Sequence, residues 1–410
     1  YDEAQTRAYL IDQDLHDAGW PLNRSEDREY KVTGMPSSNG VGYVDYVLWG
    51  ADGLPLALVE AKRSTKDPLA GKQQAKLYAD CLEEEFGRRP VIYYSNGYKT
   101  WIWDDALYGD RPVQGFHTRD QLELMIARRT TRRDLANEPI DNEIASRGYQ
   151  HGAIRAVTES FTGSSRKALV VMATGTGKTR TAVALSKLLM DANWAKRVLF
   201  LADRVSLVSQ AARAFKTHLP GSAPAILGKD NDTDSRINLA TYPTIMNMIS
   251  GGAKGGPAFG IGHYDLIIVD EAHRSIYQKY RAIFDYFDSL LLGLTATPQA
   301  DVDRNTYSMF DIEDDVPTFA YELNQAIEAD YLVPPCVVPV PLKFPYEGIR
   351  YDDLSEDEKE QWDELEWDEE GEIPDAVDSA VVNSWLFNTD TVNKALEVLM
   401  THGHKVAGGD

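Results

Sequence analysis

The segment that most constrains the fold is ATGTGKT, residues 173–179, which follows an apolar run and begins a helical pattern. Gly175 and Gly177 allow the backbone to curl so that successive N–H groups point at one phosphate, and the positive end of the following helix adds to this attraction. Met172 stands where such P-loops usually carry their first glycine. A strand, a glycine-rich loop and a helix in this order still predict a nucleotide-binding α/β domain.

The side chains of this loop predict ATP and Mg²⁺ as cofactors. Lys178 is expected to reach the β- and γ-phosphates, and the Thr179 hydroxyl is expected to ligate Mg²⁺. The predicted nucleotide-binding residues of the loop are Thr174, Gly175, Thr176, Gly177, Lys178 and Thr179.

The second half of the predicted site is LIIVDEAH, residues 266–273, an apolar run that ends in acidic residues. Asp270, at the end of a strand, would hold Mg²⁺ through water, and Glu271 is placed to polarise the attacking water. His273 would link this site to a neighbouring element. An acidic pair after an apolar run is commonly only a strand-end cap, but its position after a P-loop predicts the metal-binding partner of that loop.

The rest of the chain after the loop predicts a parallel sheet. Strands buried on both faces read as continuous apolar runs, and such runs alternate here with helical patterns. The predicted strands are 168–173, 197–202, 237–241, 265–270 and 290–295. Before them the pattern is mixed α+β, with a hairpin predicted around Asn96-Gly97.

A second, weaker constellation lies in this N-terminal α+β region. Asp45 sits inside the apolar run GYVDYVLW, where an uncompensated carboxylate would be costly. Glu60 and Lys62 end the next strand and project from the same face of it. Two carboxylates and a lysine at strand ends can hold Mg²⁺, orient water and stabilise a developing phosphoryl charge, as in metal-dependent phosphodiesterases. A surface salt bridge is the alternative interpretation of these residues.

Charge is distributed unevenly along the chain. The formal net charge is −22, and the stretch from residue 347 to residue 378 alone carries sixteen acidic and two basic residues, a net charge of −14. Between residues 125 and 148 we predict a helical connector. Its arginines are either a solvated helix face or a phosphate-contacting patch. They are Arg128, Arg129, Arg132 and Arg133.

Other features of the composition indicate a cytoplasmic protein without a membrane partner. No apolar run approaches the roughly 18 to 20 residues of a membrane span, and the N-terminal segment does not have the pattern of a signal peptide. Cys81 and Cys336 lie far apart and have no CxxC partner, which excludes a disulfide framework and a structural zinc site.

Six short motifs occur in an order that resembles the first RecA-like domain of superfamily 2 DNA translocases and helicases. The motifs are GYQ (148–150), ATGTGKT (173–179), FLADRVSLVSQ (200–210), ATYPT (240–244), DEAH (270–273) and TAT (295–297). The resemblance implies that Tyr149 stacks on adenine and that Gln150 hydrogen-bonds to the edge of that base. It also implies a function for four further residues: Arg204 and Thr241 would contact DNA phosphates, and Thr295 and Thr297 would couple the nucleotide state to the DNA-facing side.

The N-terminal region resembles the nuclease domain of RecB-like enzymes. Gln74 and Tyr78 are four residues apart, hence on one helix face, and match the Q-x-x-x-Y element of those nucleases. Together with Asp45, Glu60 and Lys62 they are the predicted nuclease residues. By the same resemblance, Glu3 on the first helix would approach the metal. The alternative for Glu3 is an exposed helix residue with no role in the site.

The order of the two regions resembles the restriction (motor) subunit of type I restriction–modification enzymes. The resemblance implies an α/β architecture of four parts: a restriction-endonuclease-like nuclease domain (1–124), the connector (125–148), a first RecA-like domain (149–330), and an acidic linker that leads to a second RecA-like domain (331–410). We expect that second domain to be cut short, because only Arg304 and Arg350 follow Pro298 and neither has the setting of an arginine finger.

The implied function is ATP-dependent translocation of double-stranded DNA coupled to Mg²⁺-dependent cleavage. Methylation and specificity subunits would be the partners, since nothing in this sequence resembles a base-reading module or a methyl-donor site. The alternative is a superfamily 2 helicase whose N-terminal domain is a non-catalytic docking module. A non-catalytic ATP-binding scaffold would not need Glu271.

Overall fold

The computed structural model describes residues 2–37, 40–230, 232–251, 257–272, 274–297, 304–313, 316–334, 349–350, 352, 359, 376–377 and 389–402. The chain divides into two compact units, Tyr1–Val333 and Pro334–Asp410. His273 and most of the acidic stretch between residues 347 and 378 lie outside the described residues. No helix in the described ranges is both long and apolar enough to cross a membrane.

The first part of unit 1, the N-terminal lobe (residues 2–132), is built on a six-stranded mixed sheet. Its strands are ordered along the chain, and only β3 and β4 run parallel. Two short helices precede the sheet and are joined by a π-helical turn, and two longer helices pack against it. In chain order the elements are α1 (Glu3–Thr6), α2 (Asp12–Asp17), β1 (Arg28–Thr33), β2 (Val41–Trp49), β3 (Pro55–Ala61), α3 (Lys72–Phe86), β4 (Val91–Ser95), β5 (Thr100–Trp103), β6 (Arg111–Val113) and α4 (Arg119–Thr131).

Local sequence signals explain the turns of this lobe. β4 and β5 form the hairpin predicted at Asn96-Gly97, where Gly97 adopts a left-handed φ of 82° that a side chain would strain. Helix α3 ends at Gly87, also left-handed, as a glycine cap does. β3 is buried along its whole length because α3 covers one face of the sheet and α4 approaches the other.

The second part of unit 1, the P-loop lobe (residues 148–333), is built on a seven-stranded, wholly parallel sheet. The strand order is β13-β7-β12-β11-β8-β10-β9, with helices on both faces. In chain order the elements are α5 (Gly148–Thr162), β7 (Lys167–Met172), α6 (Lys178–Asp191), β8 (Val198–Ala202), α7 (Val205–His218), β9 (Ala225–Ile226), β10 (Ile237–Thr241), α8 (Tyr242–Ile249), β11 (Leu266–Asp270), α9 (Arg274–Tyr286), β12 (Leu290–Thr295), α10 (Arg304–Met309), β13 (Phe319–Tyr321) and α11 (Leu323–Glu328).

The predicted parallel α/β architecture is confirmed. All five apolar runs form strands, each with bounds within one residue of the prediction. The prediction succeeds because a strand that is buried on both faces is apolar along its whole length. The two edge strands β9 and β13 were not predicted, since each has only two or three residues and neither reads as an apolar run. β13 pairs with β7 and so extends the sheet beside the P-loop.

The connector prediction is wrong in two respects. Helix α4 begins at Arg119 but ends at Thr131, and the following residues up to 147 form turns. Asp134 and Asp141 fix these turns by accepting the backbone N–H groups of residues two positions later, which competes with helix formation. Arg128 and Arg129 are not part of a solvated helix face, because Arg128 is buried and ion-paired with Asp265 and Arg129 is paired with the buried Asp104.

Two short strands and one helix are described in unit 2. β14 (Ile349–Arg350) and β15 (Ala376–Val377) pair antiparallel, and α12 (Thr389–His402) is a helix of 14 residues. Several apolar residues of this helix, Leu396, Leu399 and Met400, are exposed.

Candidate active sites

The loop between β7 and α6 is curled as its glycines predict. Gly175 and Gly177 have φ values of 85° and 89°, in the left-handed region that favours glycine. A Cβ on Gly177 would lie 2.7 Å from Nε2 of Gln150, so the close approach of α5 also requires glycine there. Thr176 is fully buried and its hydroxyl donates to the Ala173 carbonyl at 2.6 Å. Its side chain therefore braces the loop from inside, while Thr174 and Gly175 are exposed.

Helix α5 holds this loop through two side chains. The Tyr149 hydroxyl donates to the Thr176 carbonyl at 2.9 Å, and Gln150 Nε2 donates to the same oxygen at 3.2 Å. The ring of Tyr149 stacks on Tyr321 of β13, with centroids 4.1 Å apart and planes 11° apart. The sequence predicted adenine as the stacking partner of Tyr149, whereas in this structure one face of its ring is covered by Tyr321.

The predicted phosphate and metal groups lie at the carboxyl edge of the parallel sheet, after β7 and at the end of β11, with β12 between these two strands. Lys178 begins α6, and its Nζ donates to the Met172 carbonyl at 3.3 Å. Asp270 ends β11, where burial, with a further contribution from Glu271, raises its pKa to about 6, and Lys178 opposes that shift. A buried acid whose charge is countered by the P-loop lysine is what a divalent cation would stabilise. Thr179, in the first turn of α6, is half-buried.

Glu271 has a strained backbone. Its φ of 54° is in the left-handed region, which is rare for a residue with a long side chain, and its N–H donates to Asp270 Oδ1 at 3.2 Å. The structure keeps the two carboxylates next to one another at the strand end. His273 lies outside the described residues, so its linking role stays a prediction.

The four predicted DNA-contacting or coupling residues also follow strand ends. Arg204 precedes α7 and its side chain is 78% exposed. Thr241 precedes α8 and its hydroxyl is hydrogen-bonded to that of Thr244 at 2.9 Å. Thr295 is fully buried at the end of β12, and its hydroxyl accepts the N–H of Thr297 at 3.1 Å. Arg204 is thus accessible to a ligand, while Thr295 holds the turn that follows β12.

In the N-terminal lobe the structure brings the predicted carboxylates and lysine together. Asp45 on β2 accepts the Ala61 N–H from β3 at 2.7 Å through Oδ2. Glu60 pairs with Lys62, whose Nζ also lies 3.4 Å from Gln74 Oε1. Gln74 in turn donates to the Tyr78 hydroxyl at 2.7 Å. All five predicted nuclease residues therefore form one connected cluster on two strands and one helix.

The cluster contains charge that its protein neighbours do not fully neutralise. Burial, and then the negative charge of Asp45, raises the pKa of Glu60 to about 7, although Lys62 opposes this shift. Burial also raises the pKa of Asp45. Glu60 Oε2 is buried and has no hydrogen-bond partner among the described residues. A buried carboxylate with a raised pKa and an oxygen that has no hydrogen-bond partner is expected at a cation-binding site.

Two residues of this cluster were not predicted from sequence. Arg7 donates from Nη1 to Asp45 Oδ1 at 2.7 Å and also pairs with Glu29. Gly71 precedes α3, and a Cβ there would lie 3.0 Å from both Glu60 Cγ and Lys62 Cε, so the start of the helix packs directly on the pair. The only sequence signal for Arg7 is its position four residues after Glu3, one helical turn along the same segment. Glu3 is exposed and acts on Glu60 only through its charge.

The donor set fits Mg²⁺ that keeps part of its water shell. Within the described ranges no group of three or more His, Cys, Asp or Glu side chains is arranged to bind a metal. Mg²⁺ commonly binds through one or two carboxylates together with water and substrate phosphate oxygens. Asp45 and Glu60, two buried carboxylates beside a lysine, meet that requirement.

Comparisons with known proteins cover both lobes. A family model described as "Type III restriction enzyme, res subunit" matches residues 143–300. The endonuclease subunit of the type I restriction enzyme EcoKI of Escherichia coli strain K12 is 28% identical, over 71% of this chain and 32% of its own length. The endonuclease subunit of the type I enzyme EcoAI of Escherichia coli is 31% identical, over 81% of this chain and 43% of its own length.

The chain thus spans 32% and 43% of the lengths of these two curated relatives. Among solved structures, a fragment from Vibrio vulnificus YJ016 assigned to an HsdR subunit of a type I restriction enzyme is 27% identical, covers 80% of this chain and 60% of that chain, and has a TM-score of 0.36.

Proposed function

This chain is related to the endonuclease (HsdR) subunits of type I restriction enzymes, and from that relationship we propose that it carries the nuclease and the first RecA-like motor domain of such a subunit. The substrate is double-stranded DNA, which ATP hydrolysis pulls past the complex before both strands are cut. The observation that carries the proposal is the joint presence, in unit 1, of a P-loop and strand-end acid pair and of the cluster around Asp45 and Glu60.

The motor chemistry rests on residues at the carboxyl edge of the parallel sheet. Backbone N–H groups of residues 174–177 would surround the β-phosphate of ATP, and Lys178 would neutralise the β- and γ-phosphates. Thr179 and Asp270 would hold Mg²⁺, which supplies charge stabilisation for the transferred phosphoryl group. Glu271, fixed next to Asp270, is placed to orient the attacking water.

The nuclease chemistry rests on the cluster in the N-terminal lobe. Asp45 and Glu60 would supply two oxygen ligands to Mg²⁺, which provides a Lewis acid and lowers the pKa of water. Lys62, held by Glu60 and close to Gln74, presents an ammonium group to the developing charge on the scissile phosphate. Tyr78 and Gln74 orient that lysine from α3, and Arg7 orients Asp45 from the first helical segment.

The partners are inferred because nothing in this sequence resembles a base-reading module or a methyl-donor site. Target recognition and methylation would come from the specificity and methylation subunits of a cytoplasmic restriction–modification complex. The alternative, a helicase with a docking module in place of the nuclease, does not account for a buried Glu60 Oε2 without a partner or for the link from Lys62 to Gln74. Those two features support the nuclease.

The test uses the complex assembled from the full-length subunit with its methylation and specificity partners. Asp45→Ala should abolish Mg²⁺-dependent cleavage of unmodified DNA while leaving DNA-stimulated ATP hydrolysis within about twofold of wild type, because Asp45 belongs to the N-terminal sheet and the ATP site to the P-loop lobe. A matched control is Asp52→Ala, an exposed acid of the same lobe. If the Asp45→Ala variant cuts DNA as well as wild type, the N-terminal domain is a docking module and not the nuclease.

A further inference from the structure

A cavity of about 60 Å³ lies between the two lobes of unit 1. Its walls come from β6 and α4 on the N-terminal side, and from the segments that precede β7, β11 and β12 on the P-loop side. On the P-loop side it lies before the amino ends of these strands, whereas the candidate ATP site lies at their carboxyl ends. The charged residues that matter for its chemistry are Arg111, Arg128, Arg132, Arg166, Asp265 and Asp288.

The positive charge of this cavity exceeds its negative charge. Arg111 and Arg166 both donate to Asp288, so two guanidinium groups share one carboxylate. Arg128 donates to Asp265. Asp104 also lines the cavity, but it accepts two hydrogen bonds from Arg129, whose positive charge offsets it.

Among the residues that the structure describes, no carboxylate pairs with Arg132. Its Nη1 donates to the Tyr108 hydroxyl at 3.0 Å, and its guanidinium lies over the rings of Trp194 and Tyr108 at 4.4 and 5.4 Å. Stacking on aromatic rings fixes the plane of a guanidinium and leaves its N–H edge free for an anion. The Arg132 charge is thus oriented but not neutralised.

Several donors of these arginines are buried without a partner. Of seven buried side-chain nitrogen and oxygen atoms without a hydrogen-bond partner in the described part of the chain, four belong to this cavity: Arg111 Nη1, Arg128 Nε and Nη2, and Arg132 Nε. Arg128 is only 5% exposed. A buried charged donor that lacks an acceptor is strongly destabilising, and native structures rarely leave several in one place.

Crowding of like charge is also visible at Arg166. Burial, and then the neighbouring positive charge of Arg111, lowers the pKa of Arg166, even though Asp288 opposes the shift. An anion in the cavity would relieve this repulsion and supply acceptors to the unpartnered donors at the same time.

We propose that this cavity is a binding site for a free oxyanion of the size and charge of phosphate or sulfate. Its volume is several times the roughly 10 to 15 Å³ that one water molecule requires, and it is too small for a nucleoside. An oxyanion offers acceptors in several directions, as the donors of three arginines require. Because Arg111 and Arg128 belong to the N-terminal lobe and Arg166 to the P-loop lobe, the bound anion also ties the two lobes together. This site is separate from the ATP and nuclease sites and does not depend on their assignment.

The experiment measures phosphate binding to the 410-residue chain by calorimetry and by thermal unfolding, with chloride at equal ionic strength as the reference. All variants carry Lys178→Ala, since the P-loop itself binds phosphate. We expect phosphate to raise the Tm by about 2 to 4 °C at saturation. Adding Arg132→Gln should weaken phosphate binding at least about tenfold, whereas adding Arg213→Gln, which removes an exposed arginine of α7, should not.

Two outcomes would overturn the proposal: no phosphate-specific rise in Tm in the Lys178→Ala chain, or equal affinity in the Arg132→Gln and Arg213→Gln variants. If Arg132→Gln does not fold, crystals of the Lys178→Ala chain soaked in selenate decide the question through anomalous scattering. A peak within hydrogen-bond distance of Arg128 and Arg132 supports the site. Water alone in the cavity at saturating selenate contradicts it.

Discussion

Arg111 Nε and Nη2 donate to the two carboxylate oxygens of Asp288 at 2.6 and 2.7 Å, and this bidentate pair joins the sheet of the N-terminal lobe to that of the P-loop lobe. Arg166 Nη2 donates to the same carboxylate at 2.8 Å, and His117 Nε2 lies 3.2 Å from it. Although burial alone would raise the pKa of Asp288, Arg111 and Arg166 hold it well below its usual range. Asp288 is therefore ionised at neutral pH and serves as the counter-charge of both guanidinium groups.

Replacing Asp288 should lower the free energy of unfolding, because Asp288 is the buried counter-charge where the two lobes meet. Asp288→Asn leaves the Arg111 and Arg166 guanidinium groups buried without their counter-charge, and breaking a buried pair in this way costs about 3 to 5 kcal/mol. We expect the free energy of unfolding in urea to fall by that order. Asp285→Asn is the matched control, because Asp285 is 51% exposed and pairs with Arg281 at the surface, where a pair is worth at most about 1 kcal/mol. Equal losses in the two variants would contradict the network.

The raised pKa of Glu60, about 7, makes stability depend on pH when Mg²⁺ is absent. The folded state binds this proton more tightly than the unfolded chain, whose Glu pKa is about 4.3. The stabilisation is therefore fully present below about pH 4.3 and is lost as the pH rises to about 7. In EDTA, wild type should lose on the order of 2 to 3 kcal/mol relative to Glu60→Gln between pH 5 and pH 8.

Urea unfolding at the two pH values measures this difference, with Glu123→Gln as the control at an exposed glutamate of α4. Added Mg²⁺ should restore stability to wild type at pH 8, since a bound cation compensates the ionised carboxylates. A pH dependence that is identical in wild type and Glu60→Gln would show that Glu60 is not the titrating group.

Removing the P-loop lysine should stop the motor without unfolding the domain. The only side-chain hydrogen bond of Lys178 found in the described structure is the one from Nζ to the Met172 carbonyl at 3.3 Å, so Lys178→Ala removes little structural stabilisation. Loss of its charge from the phosphates should lower ATP hydrolysis in the full complex by at least about 10² to 10³. Lys187→Ala, on the same helix and paired with Asp191, is the control and should retain activity. DNA translocation by the Lys178 variant would show that this loop does not drive the motor.

Short-range patterns in the sequence were sufficient to predict most elements near the candidate sites. The run before the P-loop, the glycines at 175 and 177, and the acids after β11 all depend on neighbours within a few residues, and each occupies the predicted position at a strand end. Asp45 and Glu60 were likewise predicted on two successive strands, and the structure pairs these strands. Lys62 lies beside them because side chains two apart on a strand share a face.

Contacts between distant segments could not be predicted in the same way. Arg7 pairs with Asp45 across 38 positions, and Arg128 with Asp265 across 137. From the sequence, the four arginines from 128 to 133 fit either a solvated helix face or a phosphate-contacting patch, because nothing nearby shows which acids face them. The stacking of Tyr149 on Tyr321 was likewise hidden, since β13 is too short to be recognised as a strand.

The sequence by itself therefore determined the strands and the loop that carry the candidate sites, because these depend on side-chain periodicity and on local backbone geometry. Tertiary structure alone decided where the arginines of the connector go, which atoms of Glu60 and Arg128 stay without a partner, and how the two lobes are joined. The physical reason is that burial and electrostatic pairing are set by the packing of segments far apart in the chain. Whether a buried charge is compensated or costly depends only on the neighbours that this packing supplies.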